Sequence, residues 1–208
     1  MDAMANARNR YHHGDLKNAL VEAAVRLVEQ KGIEGMSLRG VAREAGVSQA
    51  APYHHFKDKE ALVAEVCCVG FCRLEEDLRQ ATEGQPSYPA ALDAMGRAYI
   101  AFALAHKAYF SIMWGGYVHD KNDYPQLVEE ASCTFQMLVD TIVAGQEAGQ
   151  LRVAEPMELV LACWSAVHGA ARLIVDKGID ADGMREKGID AQLVIESTMR
   201  MLNQALLP

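Results

Sequence analysis

Long apolar runs are missing from this chain. Its unbroken apolar stretches, such as residues 159–164, fall far short of the about 20 residues that a membrane-spanning helix needs, so no membrane association is expected. The opening residues, Met1-Asp2-Ala3-Met4-Ala5-Asn6-Ala7-Arg8, have no apolar centre, so no secretory leader is expected either. Cysteine is scarce and odd in number: five residues, crowded at 67, 68 and 72 with singles at 133 and 163. That excludes a disulfide framework and fits a reducing cytoplasm. No stretch alternates strictly enough for a half-buried strand. There is no glycine-rich phosphate loop after a strand, no Gly-x-Ser-x-Gly elbow and no His-Glu-x-x-His pair, so no enzyme and no cofactor are expected. No metal is expected: Cys68 and Cys72 share a helix face but lack further ligands, and Asp180-Ala181-Asp182-Gly183 lacks the later ligands of a calcium loop. Buried structural thiols are the better reading of Cys67, Cys68 and Cys72.

What is present suits a compact cytoplasmic protein. The chain has 208 residues, half of them hydrophobic and 23% charged, enough apolar material for a sizeable core. The net charge of −8 argues at first against a nucleic-acid partner. Its distribution reverses that. Residues 1–60 carry nine Lys/Arg against eight Asp/Glu, whereas the remaining 148 carry eleven against twenty. A local patch suffices to meet phosphates.

The periodicity is helical throughout. From Asp15 to Lys31 the apolar positions Ala19, Leu20, Ala23, Ala24, Leu27 and Val28 form one stripe, with Gly32 as the stop. Ser37 caps a short helix to Glu44, ended by Gly46. Ser48 caps another to about His55, and Asp58 a longer one toward Arg79. Beyond the polar stretch 82–89, helices are expected at 89–106, 107–115, 125–148, 155–177 and 190–206, with Pro89, Pro125 and Pro156 placed in first turns. The echo of Lys177-Gly178-Ile179-Asp180 in residues 187–190 is read as a loop feature. The fold class is all-α.

Residues 37–56 hold two short capped helices around a glycine turn, the sequence form of a helix-turn-helix. Leu38, Val41, Ala42 and Ala45 face inward while Arg39 and Arg43 point out. Val47, Pro52 and Phe56 anchor the second helix, leaving Gln49, Ala50, Ala51, Tyr53 and His54 at its front. Glutamine pairs bidentately with an adenine edge, and alanine methyls meet thymine methyls. Ser48, Tyr53 and Lys59 suit phosphates. Pro52 withholds a backbone donor, so this helix is expected to begin irregularly. A plainer reading makes the pair an ordinary helical hairpin.

The stretch Ala23–Leu62 resembles the N-terminal domain of the tetracycline-repressor (TetR) family of bacterial transcription regulators. The resemblance lies in Ala23-Ala24 with Lys31-Gly32, in the run Ser37–Ser48, and in Tyr53-His54-His55-Phe56-Lys57-Asp58-Lys59-Glu60-Ala61-Leu62. Pro52 departs from the aliphatic residue usual there. The resemblance implies a homodimer with a three-helix DNA-binding domain and a variable ligand-binding domain behind it. Carried over by position, the DNA contacts are Ser37, Arg39, Ser48, Gln49, Ala50, Ala51, Tyr53, His54 and Lys59. Residues 1–13 are expected as an arm, with Arg8-Asn9-Arg10-Tyr11-His12-His13 either touching DNA or fraying. Residues 14–60 form the DNA-binding domain and 61–208 the effector-binding and dimerisation domain.

Trp164-Ser165-Ala166-Val167-His168-Gly169 looks like the Trp…His-Gly stretch of one C-terminal subgroup. His168 is then either at the rim of an effector pocket or, more plainly, a hydrogen-bonded core histidine. Tyr99, Phe102, Phe110, Met113, Trp114 and Tyr117 offer apolar walls for a ligand, with Gly115-Gly116 as a break where a cavity opens. Lys and Arg are few there, so the effector is expected to be apolar, neutral or cationic. The dimer contact is expected in the last two helices, through Val160, Trp164, Val167, Ala171 and Ile174 and through Leu193, Val194, Thr198, Met201 and Leu202. The reading is a DNA-binding regulator, a repressor relieved by a small molecule, with double-stranded operator DNA as partner. Its rivals are a helical ligand-binding or enzymatic bundle, and a DNA-binding protein without an effector.

Overall fold

A computed structural model describes residues 3–176 and 185–208, and of residues 3–15 and 185 the backbone alone. Among the described residues every regular element is helical: eight α-helices and three short 3₁₀ turns. The helices are α1 (Ala3–Lys31), α2 (Leu38–Glu44), α3 (Lys59–Thr82), α4 (Tyr88–Ala105), α5 (Lys107–Met113), α6 (Pro125–Glu147), α7 (Pro156–Val175) and α8 (Ala191–Leu206). Sequence cues account for their limits. Ser37, Ser87 and Asp190 each accept the hydrogen bond of a backbone N–H three residues on, satisfying a donor that the helix leaves over. Pro125 and Pro156 open α6 and α7. Gly32, at φ +70°, ends the α1 region in a conformation that side chains resist. From Ala3 onward the expected arm 1–13 is part of α1 rather than a separate arm; the side-chain contacts expected of Arg8–His13, the Lys177–Asp180 echo and the Asp180–Gly183 loop lie outside the described residues.

The chain forms two compact units. The first comprises the chain up to Gly70 together with Ala108–Val128; the second comprises Phe71–Lys107 and the chain from Glu129 onward. The division thus falls inside α3, and α5 from Ala108 onward belongs with the first unit. Contacts explain that membership. A Cβ on Gly70 would lie 2.5 Å from Met113 Sδ and 3.2 Å from a Tyr109 ring carbon, so α5 packs directly on α3. Tyr109 also donates its hydroxyl hydrogen to Glu22 of α1 at 3.1 Å. The buried face of α1 holds Leu20, Val21, Ala23, Ala24, Val25 and Leu27. Ala19, expected on that stripe, is exposed, and Val28 is half-buried.

In the second unit α4, α7 and α8 pack against one another. Gly96 permits the approach: a Cβ there would lie 2.6 Å from Met199 Cε and 3.4 Å from Val167. Ile142 and Val160, fully buried, centre the core with Leu92, Leu151 and Leu206, each such side chain contributing about 1.5–3 kcal/mol of transfer free energy. Arg97 braces α4 against α8 by a bidentate pair with Glu196 at 2.7 and 3.0 Å, while Asn203 donates to Asp93 at 2.8 Å.

Helix α7 is long and apolar enough to cross a membrane by length and composition, a test that the core helix of a soluble protein also passes. It also turns a different face inward than expected. Val160, Val167 and Ala171 are buried within their own chain, so they cannot meet a second copy; Trp164 and Ile174 are half-buried. The exposed apolar row is Met157, Leu161 and Leu173, on the four-residue spacing that also carries Ser165 and Gly169. On α8, Leu193 and Met201 are exposed, whereas Val194, Thr198 and Leu202 are half-buried.

Candidate nucleic-acid interface

Helix α2 is built as a support. Ser37 Oγ accepts from Gly40 N at 3.1 Å, and Leu38, Val41 and Ala42 are buried while Arg39 and Arg43 stay exposed. Arg26 of α1 pairs with Glu44 at 3.0 Å, fixing the far end of α2. Gly46 then takes φ +70° to turn the chain.

The expected second helix over 48–55 is not an α-helix. Only a 3₁₀ turn, Ala51–His54, is formed, and Ser48 does not cap it. Pro52 is the cause. An α-helix starting at Ser48 would send the residue-52 N–H to the Ser48 carbonyl, and proline has none. Ala51 N–H takes that acceptor instead at 3.0 Å, the tighter 3₁₀ pattern, followed by Tyr53 N to Ala50 O at 3.1 Å and His55 N to Pro52 O at 3.0 Å. The irregular start expected from Pro52 therefore extends through the whole element. Its anchors hold as expected for Pro52 and Phe56, which are buried; Val47 is half-buried. Ser37, Arg39, Ser48, Gln49, Ala50 and His54 are exposed and Ala51 half-buried, while Tyr53 keeps 52% of its surface.

Lys59 is half-buried and donates from Nζ to Ile33 O at 2.7 Å. Its charge is thereby fixed, with two further donors left on the ammonium. The neighbouring charges are fixed too. Asp58 Oδ1 accepts from Ala61 N at 2.8 Å, capping α3. Lys57 Nζ sits 5.2 Å from the centre of the Tyr124 ring. Glu60 accepts from the backbone N–H of His119 and meets its Nδ1, both at 3.0 Å. The His119 hydrogen bonds hold the Glu60 carboxyl below its usual range. Sequence reasoning missed Lys57, Glu60, His119 and Tyr124. The run of four charges, Lys57-Asp58-Lys59-Glu60, was a visible signal, but the partners stand 59 residues away in the case of Glu60 and His119.

The seven residues expected to line an effector site divide between the units: Tyr99, Phe102 and His168 in one, Phe110, Met113, Trp114 and Tyr117 in the other. Phe110 is wholly buried and Met113 nearly so. The break after α5 exists, with Gly116 at φ +70°, but the space over Gly115 is filled by the Tyr117 ring. Tyr99 Oη and His168 Nδ1 lie 2.8 Å apart, and the Trp164 ring centre is 6.3 Å from that of His168. Burial raises the Tyr99 hydroxyl well above its ordinary range. His168 is lowered from 6.5, first by burial and then by the charge of Arg172. The fold therefore binds the neutral imidazole, and below about pH 6.5 the unfolded chain takes up the proton first. Stability should fall as pH drops through 6.5 and stop falling below the folded value. Urea midpoints between pH 7.5 and 5.5 should decline less in His168→Gln; equal slopes would show that His168 is not the group responsible. Burial also pushes the thiols of Cys67 and Cys163 to about 12 and about 11, so neither is a thiolate at neutral pH.

Comparison with known proteins gives a consistent result. Residues 20–66 match the model of the bacterial regulatory proteins of the tetR family, and residues 92–195, half the chain, match the tetracyclin repressor-like C-terminal domain. An uncharacterized HTH-type transcriptional regulator of Bacillus subtilis, YobS, is 26% identical over 108 residues, 52% of this chain and 56% of its own. The class A tetracycline repressor from transposon 1721 of Escherichia coli is 39% identical over 46 residues, 22% of this chain and 21% of its own. The match thus spans little more than half of YobS and about a fifth of the repressor. A solved structure from Rhodococcus sp. RHA1, of unknown function, is 32% identical with TM-score 0.79, covering 95% of this chain and 98% of that one. With one model covering the helix-turn-helix and another the helical region behind it, the chain belongs to the TetR family of bacterial regulatory proteins.

Proposed function

We propose that this protein is a cytoplasmic, sequence-specific DNA-binding regulator of transcription, a homodimeric repressor released by a small molecule, and that it catalyses no reaction. The observation that carries this is the front of the 48–54 element. Gln49, Ala50, Tyr53 and His54 are exposed above the buried Pro52 and Phe56, inside the stretch that matches the family model. Gln49 reads an adenine edge, and Ala50 and Ala51 meet thymine methyls. Ser37, Arg39, Ser48, Tyr53, His54 and Lys59 hold the flanking backbone.

Two copies are needed because one short element reads few bases, and half-sites about one helical turn apart, ~34–36 Å, follow from the pairing. The faces proposed to pair are Met157, Leu161 and Leu173 of α7 with Leu193 and Met201 of α8, exposed apolar rows that monomers seldom leave bare. The effector is proposed to be apolar, neutral or cationic, and to meet Tyr99 and His168 in the second unit; Phe102, as fully buried as Phe110, belongs to the core. It releases DNA by binding better to one arrangement of the dimer than to the other.

Gln49→Ala and Tyr53→Phe test the recognition scheme. Gln49→Ala should cost about 1–3 kcal/mol on the preferred duplex and relax base preference at one position per half-site. Tyr53→Phe should weaken all duplexes evenly. Equal losses on preferred and scrambled DNA for Gln49→Ala, read by titration at fixed salt, would remove base reading from Gln49.

A further inference from the structure

We infer that the segment from His119 to Tyr124 is a clasp that holds the 51–54 turn in its reading pose, making His119 and Tyr124 positioning residues for DNA recognition. The inference rests on the DNA-reading proposal above. A four-residue 3₁₀ turn has few hydrogen bonds of its own and cannot hold an orientation unaided. Pro52 and Phe56 seat it on the core, but its exit is set by Lys57, Asp58, Lys59 and Glu60. Each of these four charged side chains has a separate partner: the Tyr124 ring, the first turn of α3, the Ile33 carbonyl and His119. Two of the four partners come from the His119–Tyr124 segment.

The contacts are directional. His119 offers both its backbone N–H and Nδ1 to the two oxygens of Glu60, each at 3.0 Å, so the carboxylate is gripped at both ends. Facing a carboxylate, Nδ1 must carry its hydrogen. The segment itself is stiff, because Asp120 Oδ1 accepts from both the backbone and the side chain of Asn122, at 2.9 and 2.8 Å. Tyr124 directly precedes Pro125, the first residue of α6. That helix continues into the second unit past Val128, and His119 and Tyr124 lie within the residues matched by the C-terminal family model.

The test uses the full-length chain, a duplex enriched from a random pool and a scrambled duplex of equal length, well below the melting temperature. His119→Ala/Tyr124→Leu should bind the enriched duplex about tenfold more weakly, the size expected from losing a cation–π contact and hydrogen bonds to a carboxylate, and the scrambled duplex almost unchanged. His119→Asn, which keeps an N–H donor for Glu60, and Tyr124→Phe, which keeps the ring, should restore the preference. The His119 side chain is 87% exposed and Tyr124 is only half-buried, so these variants should fold, which circular dichroism of each checks. An unchanged ratio between the duplexes in the double variant overturns the clasp, as do equal losses on both. A wild-type protein that discriminates between no duplexes overturns the DNA-reading proposal, and the clasp with it.

Discussion

Leu161→Arg and Met201→Arg proteins should sediment as monomers and bind the paired operator site about 10²–10⁴-fold more weakly than the parent. The size follows from tethering. Once one head of a dimer is bound, the second meets its half-site at a high effective concentration, and separating the subunits forfeits that gain without removing any DNA contact. Leu161 and Met201 keep 47% and 63% of their surface, so a charge at either position leaves its own subunit intact and is costly only where a second copy covers it. Ala171→Arg would be uninformative, because Ala171 has no accessible surface and a charge there unfolds its own subunit. Variants that remain dimeric at nanomolar concentration, with unchanged DNA affinity, would place the interface on another surface.

Phe110→Ala should destabilise the protein by about 3–5 kcal/mol, the range for removing a buried ring. Phe110 has no accessible surface, whereas a side chain bordering open space for a ligand keeps some. Its helix is tied to the first unit through Met113 and Tyr109 over Gly70 and through Tyr109 to Glu22. Loss of the ring therefore undermines the base of the DNA-reading unit, and binding to every duplex should fail together with the fold. The measurement is urea unfolding followed by circular dichroism. A cost below about 1 kcal/mol, the level of a surface site, would mean that Phe110 borders a cavity, as its place in an aromatic-rich stretch first suggested.

The helices were legible because their ends carry chemistry that acts locally. Ser37 caps, Gly32 stops, and the prolines at 125 and 156 open helices within a residue of the expected positions; the caps at Ser87 and Asp190 emerge only in the structure. Pro52 was legible as a disturbance, but its reach was not: one missing N–H left a turn held by i to i+3 bonds in place of two helical turns. The faces of α7 were less legible. Apolar residues surround that helix, so spacing alone cannot separate Val160, Val167 and Ala171, which fill the core, from Leu161 and Leu173, which remain exposed. Contacts distant in sequence were not legible at all. Nothing local announces that α5 packs on α3, that Lys59 serves Ile33, or that His119 and Tyr124 meet the charges at 57–60.

Selection of bound duplexes from a random pool, repeated at two salt concentrations, tests DNA reading most directly. Enrichment of a two-fold symmetric site is expected, with half-site centres about one helical turn apart and affinity that falls with salt for enriched and unselected duplexes alike. A pool that leaves selection with its input composition, or a protein that binds no duplex at low salt, would contradict a sequence-specific regulator.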